Sequence, residues 1–373
     1  MSEPAVLLFL LISAVVLFIS RERIRRRSPL PLPPGPKKLP LLGNLLDMPA
    51  TRQWETFHRW SREADSDIIH LDVAGKSIIV LESMEAVRDL FDRRSSIYSD
   101  TPGMTMVAEL CGWGWAIGFM KYGDAWRQRR KTMHQSFGVT AAKQFRPQIT
   151  AAAHALVARI LDNPVQEDIM AEFKLFAGGL VLDIAYGIKV SSAEDSYILM
   201  AERAMHGLSE AGVPGRFLVD TFPVLKYMPE WMPGAGFKCK AAEWRSATLG
   251  IRDVPFDETR KQVLRPPSQP AACAPADTEP SIIRDTAGVV YAGGADTTVG
   301  VLGFFVFAML QYPEVQAKAQ RELDATLGSG VLPRFEDFAA LPYVSALVKE
   351  VFRWRPIAAL GEFHFGGYFT NGV

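Results

Sequence analysis

The sequence predicts a mainly α-helical fold carrying one small β element, and three observations predict it. Apolar residues recur at helical spacing through most of the chain, strand-like alternation marks Ile68 to Leu81, and proline or glycine breaks separate the helical stretches. The composition supports a large packed interior: of 373 residues, 48% are apolar and 22% charged, which excludes disorder for the bulk of the chain. That length suits two or three domains or one large helical domain. Lys and Arg together number 41 and so do Asp and Glu, so there is no general positive field and no nucleic-acid partner is expected.

The N-terminus predicts a membrane anchor over residues 1–20. Pro4 to Ser20 carries no charge and is about 17 residues long, the lower end of what spans a bilayer core. Arg21, Arg23, Arg25, Arg26 and Arg27 follow at once, which by the positive-inside rule places the rest of the chain in the cytosol. A cleaved signal peptide is the competing reading, but the segment lacks a basic leader and a small-residue cleavage pattern. Residues 21–40 form a basic, proline-rich hinge, with Pro33-Pro34-Gly35-Pro36 too stiff to continue a helix. Residues 41–373 form the folded domain. Cys111, Cys239 and Cys273 match neither a disulfide framework nor a metal-ligand spacing, which fits a reducing compartment.

Within that domain Ile68 to Leu81 reads as a β-hairpin turning at Ala74-Gly75-Lys76, and Glu85 to Arg94 as a helix. His58 and His70 are expected at the surface or in turns. A helix over Ala125 to Ser136 puts Trp126 and Arg130 on one face, an indole N–H beside a guanidinium, a pair suited to the carboxylates of a buried ligand. Ala141 to Gly250 reads as successive helices, and Arg265 to Pro280 as a loop. Pro313 and Pro342 each begin a helix. In the second of these, Glu350 and Arg353 lie three apart and can pair along one face.

The most informative stretch is Tyr291-Ala292-Gly293-Gly294-Ala295-Asp296-Thr297-Thr298, polar groups inside an apolar helical run from Ser281 to Leu310. Asp296 has little nearby to solvate it, so it needs a hydrogen-bonded or functional reason to be there. One reading satisfies Asp296 and Thr297 from neighbouring backbone. The other makes Gly293 and Gly294 a place where a flat ligand lies against the helix, with the acid and hydroxyl beside it.

In their order and separations, these motifs resemble the membrane-bound cytochrome P-450 family of haem-thiolate monooxygenases, most like those of filamentous fungi. The resemblance rests on the proline-rich hinge, Trp126-x-x-x-Arg130, Gly293-Gly294-Ala295-Asp296-Thr297-Thr298 and Glu350-x-x-Arg353. It implies a large helical haem-binding domain with a small β subdomain, in which the stretch around Asp296 crosses the oxygen-binding face of haem. By the same resemblance Trp126 and Arg130 hold a haem propionate, Gly293 and Gly294 line the oxygen groove, Asp296 and Thr297 deliver protons as catalytic residues, and Glu350 with Arg353 forms a structural ion pair bracing the opposite side. The implied partners are a hydrophobic small-molecule substrate, O2 and an NADPH-dependent reductase. The implied location is the endoplasmic reticulum membrane, single-pass through residues 4–20, with the catalytic domain facing the cytosol.

One departure from the family pattern matters. The ligand cysteine belongs in a loop of the form Phe-x-x-Gly-x-Arg-x-Cys-x-Gly beyond the Glu-x-x-Arg helix, and these residues contain no such loop, so the chain reads as truncated before it. None of the three cysteines sits in that context, and no metal ligand is assigned. Two other readings stay open: a family remnant that lacks haem and does not catalyse, and a two-span membrane protein in which Val289 to Leu310 crosses the bilayer and Asp296 is an intramembrane carboxylate.

Overall fold

The structure, a computed structural model, describes residues 31–40, 42–49, 51–163, 168–213, 215–263, 278–358 and 360. The expected anchor at residues 4–20 and most of the expected loop from Arg265 lie outside the described residues. Backbone contacts separate two units. One falls within Met1–Tyr98 and Pro214–Thr221, the other within Ser99–Val213 and Phe222–Val373.

The first unit holds the β element. Helix α1 (Gln53–Ala64) packs Phe57 and Trp60 on Ile69 and Leu71 of strand β1 (Ile68–Val73), which pairs antiparallel with β2 (Lys76–Leu81). The register closes at Val73 opposite Lys76, leaving Ala74 and Gly75 as the turn. Both have positive φ, 47° and 88°, the twist that a two-residue hairpin needs. His70 departs from its expected surface place: it is fully buried on β1, held by Lys38 Nζ at 2.6 Å and Ser77 Oγ at 3.1 Å. On β1, which is buried on both faces, it lies on the face opposite Ile69 and Leu71, and two polar partners make that burial affordable. His58 is exposed, as expected, with Nδ1 3.2 Å from Glu82. The expected helix from Glu85 to Arg94 is split into one α turn, Met84–Val87, capped by the Ser83 hydroxyl, and a wider turn, Arg88–Asp92.

The second unit is helical. Its elements are α2 (Asp124–Phe137), α3 (Arg146–Asp162), α4 (Ile169–Tyr186), α5 (Ser196–Ala211), α6 (Gly236–Val263), α7 (Pro280–Gln311), α8 (Pro313–Leu327) and α9 (Pro342–Trp354). Local signals set the boundaries. Asp168 accepts from the backbone N–H groups of Met170 and Ala171 to start α4, and Asp195 accepts from that of Tyr197 to start α5. Pro280, Pro313 and Pro342 occupy first helical turns, where a missing N–H costs nothing. Pro280 therefore opens α7 rather than closing the expected loop. The Glu322 carboxylate of α8 accepts from the N–H groups of Tyr343 and Val344, at 2.9 and 2.8 Å, and so caps α9.

Helix α7 is the axis of the unit and packs along α4, α6, α2 and α5. Leu156, Phe173, Ala177 and Val299 form one buried cluster where α3, α4 and α7 meet. Length and composition alone would let Pro280–Gln311 cross a membrane, and Phe307 and Leu310 near its end are exposed. The same composition belongs to a central core helix, and the helices packed on α7 place it there.

Candidate functional site

Four turns of α7 carry the polar groups, and each meets different surroundings. Nearest the start, Asp285 and Thr286 are buried. Asp285 Oδ2 accepts two hydrogen bonds from Arg129 of α2, from Nη2 at 2.6 Å and Nε at 3.0 Å. Its other oxygen lies 3.6 Å from Arg284 Nε and 4.0 Å from Arg252 Nη1 of α6, within ion-pair range. Next, Tyr291 is fully buried and donates its hydroxyl to the Tyr197 carbonyl at 2.6 Å, tying α7 to α5. Burial pushes its hydroxyl pKa well up, as it does that of Tyr186, which meets it edge to face at 6.2 Å.

The two glycines differ. A Cβ on Gly293 would meet nothing within 4 Å, whereas one on Gly294 would sit 2.4 Å from Val181 Cγ2 on α4. Gly293 thus leaves open backbone, as the sequence suggests. Gly294 is small so that α4 can approach, and it faces no groove.

Asp296 and Thr297 are exposed, contrary to the expectation of an acid sealed in an apolar run. The reason is an open cleft of about 90 Å³ between α4, α5 and α7, walled by Ile198, Met205 and Val299, with Lys174, Glu202 and Asp296 among its polar groups. Crowding by these walls raises the Asp296 pKa, the charge of Glu202 raises it further, and Lys174 opposes both. The Thr297 hydroxyl donates to the Gly293 carbonyl at 2.7 Å, the backbone satisfaction that the alternative sequence reading foresaw.

On α2, the Arg130 guanidinium stands 5.9 Å from the Trp126 ring centre, a cation–π pair at the helix surface. Among the described residues no carboxylate pairs with Arg130. On α9, Glu350 and Arg353 form the expected pair in bidentate form, 2.7 Å from Nε to Oε2 and 2.6 Å from Nη2 to Oε1, on an exposed face. The Arg353 hydrogen bond holds the Glu350 carboxyl below its ordinary value. The structure therefore joins Trp126 with Arg130, Gly293 with Thr297, and Glu350 with Arg353. It places Asp296 instead with Lys174 and Glu202.

Sequence reading missed the Arg129–Asp285 pair and the cleft partners of Asp296. A signal for the first was present. Thr132 and Ser136 fall three and seven residues after Arg129 and are buried with it on one stripe of α2, so Arg129 faces inward while its neighbour Arg130 faces out.

The donor set can be tested against a haem group. An uncommitted guanidinium beside an indole N–H suits carboxylates, and open backbone at Gly293 next to a hydroxyl and an acid suits a flat ligand. These two features fit its carboxylate edge and one face. For the iron, Cys111 is fully buried, Cys239 is exposed near the start of α6, and Cys273 lies outside the described residues. Among the described residues no His, Cys, Asp and Glu cluster could hold a metal ion.

A family model described as cytochrome P-450 matches residues 33–247 and 276–365. Among similar proteins, cytochrome P-450 monooxygenase 98 of Postia placenta is 43% identical over 361 residues, 94% of this chain and 68% of the relative. A cytochrome P-450 monooxygenase of Armillaria gallica is 40% identical, covering 94% and 71% of the two chains. A tryptamine 4-monooxygenase of Psilocybe cyanescens is 39% identical, covering 96% and 72%.

Proposed function

The chain belongs to the cytochrome P-450 family of monooxygenases, oxidoreductases that use haem iron, O2, a small-molecule substrate and a redox partner, and on that premise we propose that it inserts one oxygen atom from O2 into a hydrophobic small molecule. The observation that carries the reading is on α7. An acid and a hydroxyl stand side by side at Asp296 and Thr297, one turn past open backbone at Gly293 and beside an apolar-walled cleft.

When bound, haem supplies the activation of dioxygen. The rest is positioning and proton handling by this chain. Trp126 and Arg130 bind the carboxylate edge of the group, the indole by its N–H and the guanidinium as a fixed fork. Gly293 keeps the helix flat near it, while Gly294 serves the packing of α4. Asp296, its pKa raised by its surroundings, holds a proton closer to neutral pH than an ordinary aspartate does. Thr297 passes hydrogen bonds on, since its oxygen can accept while its hydrogen rests on Gly293. Ile198, Met205 and Val299 offer apolar walls to a hydrophobic molecule. Glu350 and Arg353 would brace the last helix on the side of the group away from the oxygen-binding face.

Residues 4–20 anchor the protein in the endoplasmic reticulum membrane with its catalytic domain in the cytosol, where an NADPH-dependent reductase supplies electrons; the run of arginines after Ser20 supports this orientation. The test is reconstitution, with haem and reductase, of the protein carrying the ligand-cysteine loop that the family pattern places beyond the Glu-x-x-Arg helix. The proposal expects haem uptake and a carbon-monoxide difference spectrum, and expects Thr297→Ala to raise the peroxide released per NADPH consumed. Failure to take up haem overturns the proposal, and unchanged coupling in Thr297→Ala removes Thr297 from its role.

A further inference from the structure

The cleft beside Asp296 is bounded on its polar side by an ion pair that belongs to neither the haem-facing residues nor the helix carrying the acid. Lys174 of α4 and Glu202 of α5 meet at 2.6 Å across the gap between their helices. Both remain partly accessible, at 35% and 47% of side-chain surface, while their charged ends line the cleft that Asp296 also lines. These are the charged groups that face Asp296 from the two helices bounding it there: one cation from α4 and one anion from α5. We propose that Lys174 and Glu202 are positioning residues that set how readily Asp296 carries a proton, through a solvent-reached charge pair held across the α4–α5 cleft.

The argument is electrostatic and geometric. A carboxylate near a second carboxylate resists ionisation, and a nearby ammonium favours it. With the pair closed, the ammonium largely cancels Glu202 as seen from Asp296, and Asp296 ionises more easily. With the pair parted, Glu202 stands as an uncompensated charge beside Asp296, and Asp296 retains its proton to higher pH. The two partners sit on separate helices, so anything that spreads α4 from α5, including a hydrophobic molecule seated between Gly178 of α4 and Ile198 and Met205 of α5, shifts this balance. Proton supply is thereby linked to occupancy of the cleft.

This rests on the reading of Asp296 as the acid of the site, and its test separates the two claims. The full chain, labelled with 13C-carboxyl aspartate, is titrated by NMR, with Asp296→Asn identifying the resonance. No turnover is needed. Glu202→Gln is expected to move the Asp296 midpoint down and Lys174→Met to move it up, while the charge-keeping Glu202→Asp and Lys174→Arg stay near the parent value and show that the fold is kept. Unmoved midpoints in both charge-removing variants, or movement of both in one direction, overturn the inference. The role of Asp296 itself is judged separately, by whether Asp296→Asn changes peroxide release in the haem-loaded enzyme. A pair that shifts the midpoint while Asp296→Asn leaves coupling intact would sustain the electrostatic link and sink the catalytic one.

Discussion

Replacing Arg129 by Met removes both hydrogen bonds to Asp285 Oδ2, 2.6 and 3.0 Å long, and leaves a carboxylate that is 4% exposed. Breaking one partner of a buried pair costs about 3–5 kcal/mol, because the surviving charge stays out of water. Two guanidiniums remain, Arg284 at 3.6 Å and Arg252 at 4.0 Å from the other oxygen, too far for strong hydrogen bonds but close enough to offset part of the loss. The expected cost is about 2–4 kcal/mol. Arg129 itself is only 16% exposed, so solvent screening gives little relief. Replacing both partners, Arg129→Met with Asp285→Leu, removes the stranded charge and should recover most of the stability. Urea unfolding of the parent, both single variants and the double variant completes the cycle. A single-variant cost below about 1 kcal/mol, or a double variant as costly as the two singles added, would refute the claim that this pair fixes α2 on α7.

Three further outcomes follow from the central helix. Gly293→Ala places its methyl in open space and should stabilise the chain by about 0.5–1 kcal/mol through helix propensity, while Gly294→Ala meets Val181 and should destabilise it by about 1–3 kcal/mol; urea midpoints distinguish the two. Tyr291→Phe strips the donor from a fully buried hydrogen bond to the Tyr197 carbonyl and should cost about 1–2 kcal/mol by the same measurement. Asp296 has a raised folded pKa, so the folded state binds its proton more tightly and stability falls as pH rises from the ordinary aspartate value through the folded one. Asp296→Asn should remove that fall, matching the parent in acid and exceeding it at neutral pH in thermal melts across the range.

Much of this architecture is legible in the residues because local chemistry wrote it. Prolines at 313 and 342 mark helix starts, the Ala74-Gly75 turn sets the hairpin register, and Glu350 with Arg353 pairs at the spacing a helix dictates. What was not legible depends on chain brought in from afar. His70 is buried because Lys38 and Ser77 meet its two ring nitrogens, one from 32 residues away. Gly294 is small for the sake of Val181, 113 positions earlier in the sequence, and the partners of Asp296 come from α4 and α5. Periodicity reports which face a residue occupies, and it is silent about what covers that face.

The two carboxylates of α7 show that silence at its sharpest. Asp285 and Asp296 are eleven residues apart, about three turns, so they project from nearly the same face about 16 Å apart along the axis. By helical geometry alone they are equivalent, and the apolar run around Asp296 makes it the better candidate for deep burial. Packing reverses that order. At the level of Asp285, α2 and α6 close on the helix with Arg129 and Arg252, and the acid becomes a fixed ion-pair anchor. At the level of Asp296, α4 and α5 part to leave the cleft, and the acid there faces one cation, one anion and solvent. The first acid is fixed in place by guanidiniums, whereas the second, its pKa raised by burial and Glu202 and lowered by Lys174, stands among opposed charges at an open cleft. The division between the anchor at Asp285 and the proton handling proposed for Asp296 therefore lies in the neighbouring helices, and exchanging the two would require moving α4 and α5 as well as the aspartates.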